Sequence, residues 1–420
     1  MAILSVSALL VVLLLAMFLK TNVGLLGMAF AFVIATIGNL EISDVIAGFP
    51  SDLFAILVGV TFLFGIAHQN GTLNVISRFC IRLVKGKAAL LPFVFCAIGF
   101  VISSLGAGSI TMTAMLYPIA MVIADKEKIS PLMMASMLGL LAIAGDYSPV
   151  SVMGAMISGF YAQEGIFGLE SRMFIAAAVI YGLIGFAIYL FMGGLKLWKR
   201  GSVNVGEVAM MLEGEQNVKI EKKHIFTLIG ILLFVIGVIF FKYHTGLCAL
   251  TVGIVLCMLK IGDEEQVIKN MPWQVILLVS GVTILVKVMQ ITGGVDLAVQ
   301  ALASISNQAT LIPIVTFLGV LVGTFTSNMG VVFPAFIPML TPLVDIVGGV
   351  NPSDLYTAFT VTSCLADISP LSTIGALALA AATPAMDKTK LFRELLLLGL
   401  SMTIIGTAIS WLLIPVLGIL

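Results

Sequence analysis

Ala366-Asp367-Ile368-Ser369-Pro370-Leu371-Ser372-Thr373-Ile374-Gly375-Ala376 is the stretch that decides the fold. It lies in an apolar region of membrane-helix character, where a carboxylate, three hydroxyls and a proline do not belong. Proline removes a backbone donor and clashes with the preceding turn. In lipid the freed carbonyls need new partners. An ionisable group at that depth is costly and marks a functional site. The segment occurs twice. Gly145-Asp146-Tyr147-Ser148-Pro149-Val150-Ser151-Val152-Met153-Gly154-Ala155 aligns with it, pairing Asp146 with Asp367, Ser148 with Ser369, Pro149 with Pro370, Ser151 with Ser372 and Gly154 with Gly375. Two broken helices in corresponding places of two halves are the signature of a secondary carrier's binding site.

Composition sets the class. Hydrophobic residues make up 60% of the 420 and charged residues 10%, far below the charge of a soluble domain. Apolar runs of about 17–20 residues recur along the chain, as in an all-α, multi-pass membrane protein. Ile3 to Leu19 lacks a basic region before it and a cleavage site after it, so it reads as a retained span and not a signal peptide. A net charge of zero gives no reason for a nucleic-acid partner. Five single cysteines and three histidines give neither a disulfide framework nor a zinc site.

Working outward, the halves run 1–195 and 224–420, with the polar stretch 196–223 as a cytoplasmic linker. The second half repeats the first at an offset of 222, then 221: Phe49-Pro50 answers Met271-Pro272, Pro131 answers Pro352, and Arg172 answers Arg393. Before each break lie two apolar arms around a polar tip, Ser103 to Ser109 in one half and Thr326 to Gly330 in the other. Arms of about 15 residues reach about 22 Å, short of a bilayer core of about 30 Å, so each pair reads as a re-entrant hairpin. An interfacial amphipathic segment carries Asn74, Arg78, Arg82 and Lys85 on its polar face. Its repeat, with Asp296, Gln300, Ser304 and Asn307, keeps the polar face without a base.

That loss fixes the expected topology. Five spans plus one returning hairpin make an odd number of crossings, so the second copy is inverted. All but three of the 21 Lys and Arg (the exceptions are Arg172, Lys242 and Lys287) then fall on one face. That face is cytoplasmic by the positive-inside rule. Both termini are expected outside, in a protein of the cell (inner) membrane.

Inverted repeats bring broken helices and hairpins together near the midplane. The tips offer Ser103, Ser104, Gly106, Thr326, Ser327 and Asn328 to a substrate. The breaks add Ser148, Ser151, Ser369, Ser372 and Thr373. Half-helices starting at Pro149 and Pro370 would aim N–H groups at an anion. Asp146, Gly145 and Asp367, with Ser104, Ser327 and Asn328, would hold a hard cation such as Na⁺; alternatively, a carboxylate carries a proton. None of these elements contains Arg or Lys. Lys287 and His68, near span ends, read as snorkelling or capping groups. A passive channel fits less well, since channels rarely need two buried breaks of this kind, and a membrane enzyme fits less well, since the sequence offers no nucleophile–base pair or metal cluster.

Ala47-Gly48-Phe49-Pro50-Ser51-Asp52-Leu53-Phe54, Gln69-Asn70-Gly71-Thr72 and Gly145 to Gly154 resemble the malonate/C4-dicarboxylate carriers of the MatC type. Those carriers belong to the ion transporter superfamily, alongside the divalent anion–sodium symporters. The resemblance implies an elevator-type carrier, usually a homodimer, that moves a small dicarboxylate such as malonate, succinate or malate with Na⁺ or H⁺ and needs no other cofactor. In the sodium-coupled relatives Ser-Asn-Thr motifs at both tips bind substrate and ion. Ser327-Asn328 keeps two of the three residues before Met329, and Ser104-Leu105-Gly106 has no Asn. These departures, with Asp146 and Asp367, leave proton coupling or a cation/proton antiporter open.

Overall fold

The computed structural model describes residues 1–19, 21–73, 75, 88–198 and 220–412. The amphipathic segment with Asn74, Arg78, Arg82 and Lys85, and the linker residues 199–219, lie outside them. Among the described residues the chain is helical throughout, without strands.

The first half runs α1 (Ala2–Leu19), α2 (Val23–Gly38), α3 (Ile42–Ile46), α4 (Ser51–Gln69), α5 (Leu91–Ile102), α6 (Ser109–Lys126), α7 (Pro131–Asp146), α8 (Val152–Gln163), α9 (Glu170–Phe191) and the short α10 (Gly194–Leu197). The second half runs α11 (Lys222–Ile239), α12 (Thr245–Met258), α13 (Glu264–Asn270), α14 (Trp273–Ile291), α15 (Gly294–Ser304), α16 (Leu311–Phe325), α17 (Phe333–Val347), α18 (Pro352–Ser363), α19 (Thr373–Ala380) and α20 (Lys388–Leu412). The same succession thus occurs twice: two hairpins (α5/α6 and α16/α17), each followed by a broken helix (α7/α8 and α18/α19).

Local sequence explains the matching starts. Ser130 caps α7 by accepting from the Met133 N–H. Asn351 caps α18 by accepting from the Ser353 N–H. Each cap is followed by proline in the first turn, where the missing donor costs nothing. Helix α7 is buried at every residue from Leu132 to Asp146 except Leu141, as expected of a helix apolar all round.

The halves pack reciprocally. On α2, a Cβ added to Gly24 would meet the Leu277 carbonyl of α14 at 2.0 Å. On α12, a Cβ added to Gly246 would meet the Ala55 carbonyl of α4 at 2.3 Å. Gly24 and Gly246 are repeat equivalents, as are Ala55 and Leu277. Polar contacts follow the same exchange. Asn22 donates to the Gln274 carbonyl at 2.8 Å, while His244 Nε2 meets Asp52 Oδ1 at 2.7 Å. A contact that recurs with its partners exchanged is what a two-fold relation between halves produces.

One expectation changes. The second half-helices start at Val152 and Thr373, not at Pro149 and Pro370. Ser151 and Ser372 are extended and precede the two starts; Ser151 caps its helix with its side chain, and Ser372 does not. The prolines lie in the connecting turns, where they turn the preceding residue away from helical geometry. Among the described residues, seven helical segments are long and apolar enough to cross a membrane, and one of them is the hairpin arm Asn328–Val347. Val23–Gly38, Pro131–Asp146 and Thr245–Met258 are shorter apolar helices. The arm Leu91–Ile102 has 12 residues, about 18 Å, and is too short to span.

Candidate functional site

Each hairpin tip bonds to the aspartate of its own half. In the first hairpin, Gly106 (φ 116) and Gly108 (φ 79) take a left-handed backbone that other residues resist. A Cβ on Gly106 would strike the Phe64 ring at 2.3 Å, so the tip tucks against α4. Gly108 holds the capping position of α6 but has no side chain to cap with. Asp146, at the end of α7, supplies the missing acceptor. The Ser109 N–H and Oγ both donate to its Oδ2, at 2.8 and 2.6 Å. A carboxylate ending α7 is disfavoured by that helix's own dipole; the N-terminus of α6 offsets this. The Asp146 Oδ1 atom is buried without a partner.

The second half solves the problem differently. Asn328 donates to Asp367 Oδ1 at 2.8 Å, and the Ser372 hydroxyl donates to the same oxygen at 3.3 Å. Asn328 is 3% exposed, and its Oδ1 is buried without a partner. Because the Ser372 hydroxyl faces Asp367, α19 has no side-chain cap. Its counterpart Ser151 caps α8 through the Gly154 N–H at 3.1 Å and also donates to the Asp146 carbonyl.

Two cavities adjoin these centres. One of about 460 Å³ contains Asp146, Gly106 and Ser109 and runs past Thr61 to His68 and Asn270. The other, of about 200 Å³, contains Thr326, Ser327, Asn328, Asp367, Ser372 and Thr373. Ser109, Ile110, Val275 and Met329 line both. Among the described residues, no Lys or Arg lines either.

The remaining sequence-derived residues are arranged as follows. The Ser104 hydroxyl bonds back to the Phe100 carbonyl at 2.6 Å, and Thr326 to Val322 at 2.8 Å. The Ser327 hydroxyl accepts from the Gly330 N–H at 3.2 Å. Ser103 is buried with its hydroxyl unpartnered. Ser148 and Ser369 are buried, and Ser369 accepts from the Leu371 N–H at 3.3 Å. Gly145 gives α7 its close approach to the Phe100 carbonyl, 2.3 Å from an added Cβ. Ser109 closes the first polar tip but is absent from the site residues expected from sequence, although a residue opening a helix just after a glycine has N–H groups to offer. His68 and Lys287 both line cavities.

Residues 1–146 match the family model described as the dicarboxylate carrier protein MatC N-terminus. No curated protein sequence matches. Among solved structures, the YdaH transporter of Alcanivorax borkumensis is similar, with a TM-score of 0.53 and 16% identity over 87% of this chain and 86% of that one. At that identity the likeness speaks for the fold alone. The matched family is one of carriers, not of enzymes. Over residues 1–146 the chain is therefore similar to the MatC-type dicarboxylate carriers, and its fold is that of a membrane transporter.

Proposed function

We propose that the protein is a secondary active carrier of a small carboxylate, a dicarboxylate such as malonate, succinate or malate, driven by Na⁺ or H⁺. The observation that carries this reading is the uncapped N-terminus of α19 beside Asp367 and Asn328, in a cavity of about 200 Å³. Free N–H groups and hydroxyls suit a carboxylate; the Asp367 and Asn328 side-chain oxygens suit a cation. Magnitudes favour both binding together. A helix N-terminus contributes up to about 2 kcal/mol to a partly buried anion. Removing an ion from water costs several kcal/mol. With no basic side chain in the cavity, a co-bound cation or proton makes up the difference.

Transport then requires the site to face each side in turn. The exchanged contacts of α2 with α14 and α4 with α12 support a rigid frame built from inverted repeats. The hairpins and broken helices would move against it as an elevator, in a homodimer held in the cell membrane. The cavity at Asp146 opens beside Gln69, which bonds Gln266 at 2.7 Å. Those ends belong to the base-rich, cytoplasmic side in the topology given above. Uptake of labelled malonate, succinate and malate into proteoliposomes under Na⁺ and H⁺ gradients tests the reading. Saturable uptake of at least one acid is expected, and no uptake under either gradient overturns it.

The second reading is a cation/proton antiporter using Asp146 and Asp367. The unpartnered Asp146 Oδ1 favours it, as an acceptor free for a cation. Collapse of a pH gradient by Na⁺ alone, without any carboxylate, would select it.

A further inference from the structure

A third cavity, of about 470 Å³, lies at the opposite end of α4 and α14. It is the repeat counterpart of the cavity at Asp146. Thr283, Lys287 and Gln290 on α14 stand where Thr61, Gly65 and His68 stand on α4, and Pro50 stands where Pro272 stands. The two differ in depth. The first reaches its hairpin's tip at Gly106 to Ser109. The third touches only the arm of its hairpin, at Pro334, Ile337 and Pro338. They also differ in charge, because a lysine replaces Gly65.

Lys287 is built into this mouth. A Cβ on Gly48 would meet Lys287 Cβ at 2.5 Å and Cγ at 2.7 Å, so the glycine makes room for the lysine stem. Of the three bases on this face, Arg172 is tied to Asp354 and Lys242 is exposed on a loop. Lys287 lines the cavity and has neither hydrogen bond nor ion pair among the described residues. Glu164, across the cavity, is close enough for the two charges to interact. Asp52 is already engaged by His244.

We propose that this cavity is an anion-receiving vestibule, in which Lys287 draws the carboxylate substrate to the face opposite the Asp146 cavity and Glu164 opposes that attraction. This rests on the carboxylate-carrier reading. The two mouths are then chemically unequal: one holds a substrate-directed cation, and the other is lined by His68, Gln69 and Asn270. A lysine at the rim of a cavity acts on encounter and on apparent affinity, in a salt-dependent way. A purely structural lysine would have no such sidedness.

The test uses the full chain in proteoliposomes, with one orientation silenced by an impermeant thiol reagent at an engineered cysteine. Initial rates of labelled succinate transport are measured from each face. Lys287→Gln is expected to raise KM about five- to tenfold from the Lys287 face only, to remove most of its salt dependence, and to be rescued by Lys287→Arg. Glu164→Gln is expected to lower KM at that same face. Equal KM changes at both faces, or an unchanged KM in Lys287→Gln, overturn the inference and leave the carrier reading standing. A wild-type protein that transports none of the tested carboxylates overturns both.

Discussion

Asn328 at the second hairpin tip donates to Asp367 at the second helix break, with Nδ2 and Oδ1 2.8 Å apart. The bond joins two stretches 39 residues apart and closes one wall of the small cavity. Its counterpart in the first half uses a backbone N–H and a hydroxyl of Ser109. The two aspartates are therefore not interchangeable.

Asp367→Asn keeps the volume and removes the charge, so a bound cation loses a ligand and Asn328 keeps a partner. The apparent cation requirement is expected to rise about ten- to a hundredfold, the scale of a charged hydrogen bond. Asp146→Asn is expected to be milder, because Asp146 also caps α6 and asparagine is a good cap. Transport rate against Na⁺ concentration and against pH, for wild type and both variants, decides. Unchanged curves in both would remove the aspartates from coupling.

The reciprocal contacts give a stability prediction. A Cβ on Gly281 would lie 1.9 Å from the Gly24 carbonyl, and one on Gly59 would lie 1.9 Å from the Gly246 carbonyl. Gly281→Ala and Gly59→Ala are each expected to cost about 1–3 kcal/mol or more, read as lowered melting temperatures in detergent. Gly182→Ala, with nothing within 4 Å of the added methyl, is the neutral control. Equal melting of all three would contradict the close packing of the frame.

Sidedness is tested at exposed positions. Gln69 bonds Gln266 beside α13, and Asp52 bonds His244 at the other end of α4. Single cysteines replacing Lys269 and Lys242, in a cysteine-free background, are therefore expected to react with impermeant reagents from opposite sides. Reaction of both from one side would contradict the topology.

Glu164 gives a pH prediction. Burial raises its carboxyl above the usual range, and Lys287 partly offsets the rise. A raised carboxyl takes up its proton at a higher pH than an exposed one. Falling pH therefore neutralises Glu164 early and frees the field of Lys287. From the Lys287 face, KM relative to Glu164→Gln is expected to converge as pH falls and to separate as it rises. A ratio independent of pH would remove Glu164 from the vestibule.

The repeat and its breaks were legible because proline, glycine and serine sit at matched spacing in both copies. The restart of each half-helix was not. Ser151 caps α8 from an extended backbone, which a proline cannot do, while α19 restarts after the extended Ser372 with no side-chain cap. Hydroxyl direction was also hidden, since Ser104 and Thr326 turn back to their own helices. Ser109 lies outside the repeated aspartate motif, and only the folded chain brings it to Asp146. Lys287 concealed its place because its repeat equivalent, Gly65, shares none of its chemistry.

The most direct measurement is concentrative uptake. Proteoliposomes containing the wild-type protein are given labelled succinate, malonate or malate at equal concentration on both sides, with an imposed Na⁺ gradient in one set and a proton gradient in another. The account predicts that at least one acid accumulates above its equilibrium level in one set, and that dissipating the gradient releases it. Equilibration of the acids at the same rate with and without either gradient, or no movement at all, would contradict a coupled carboxylate carrier.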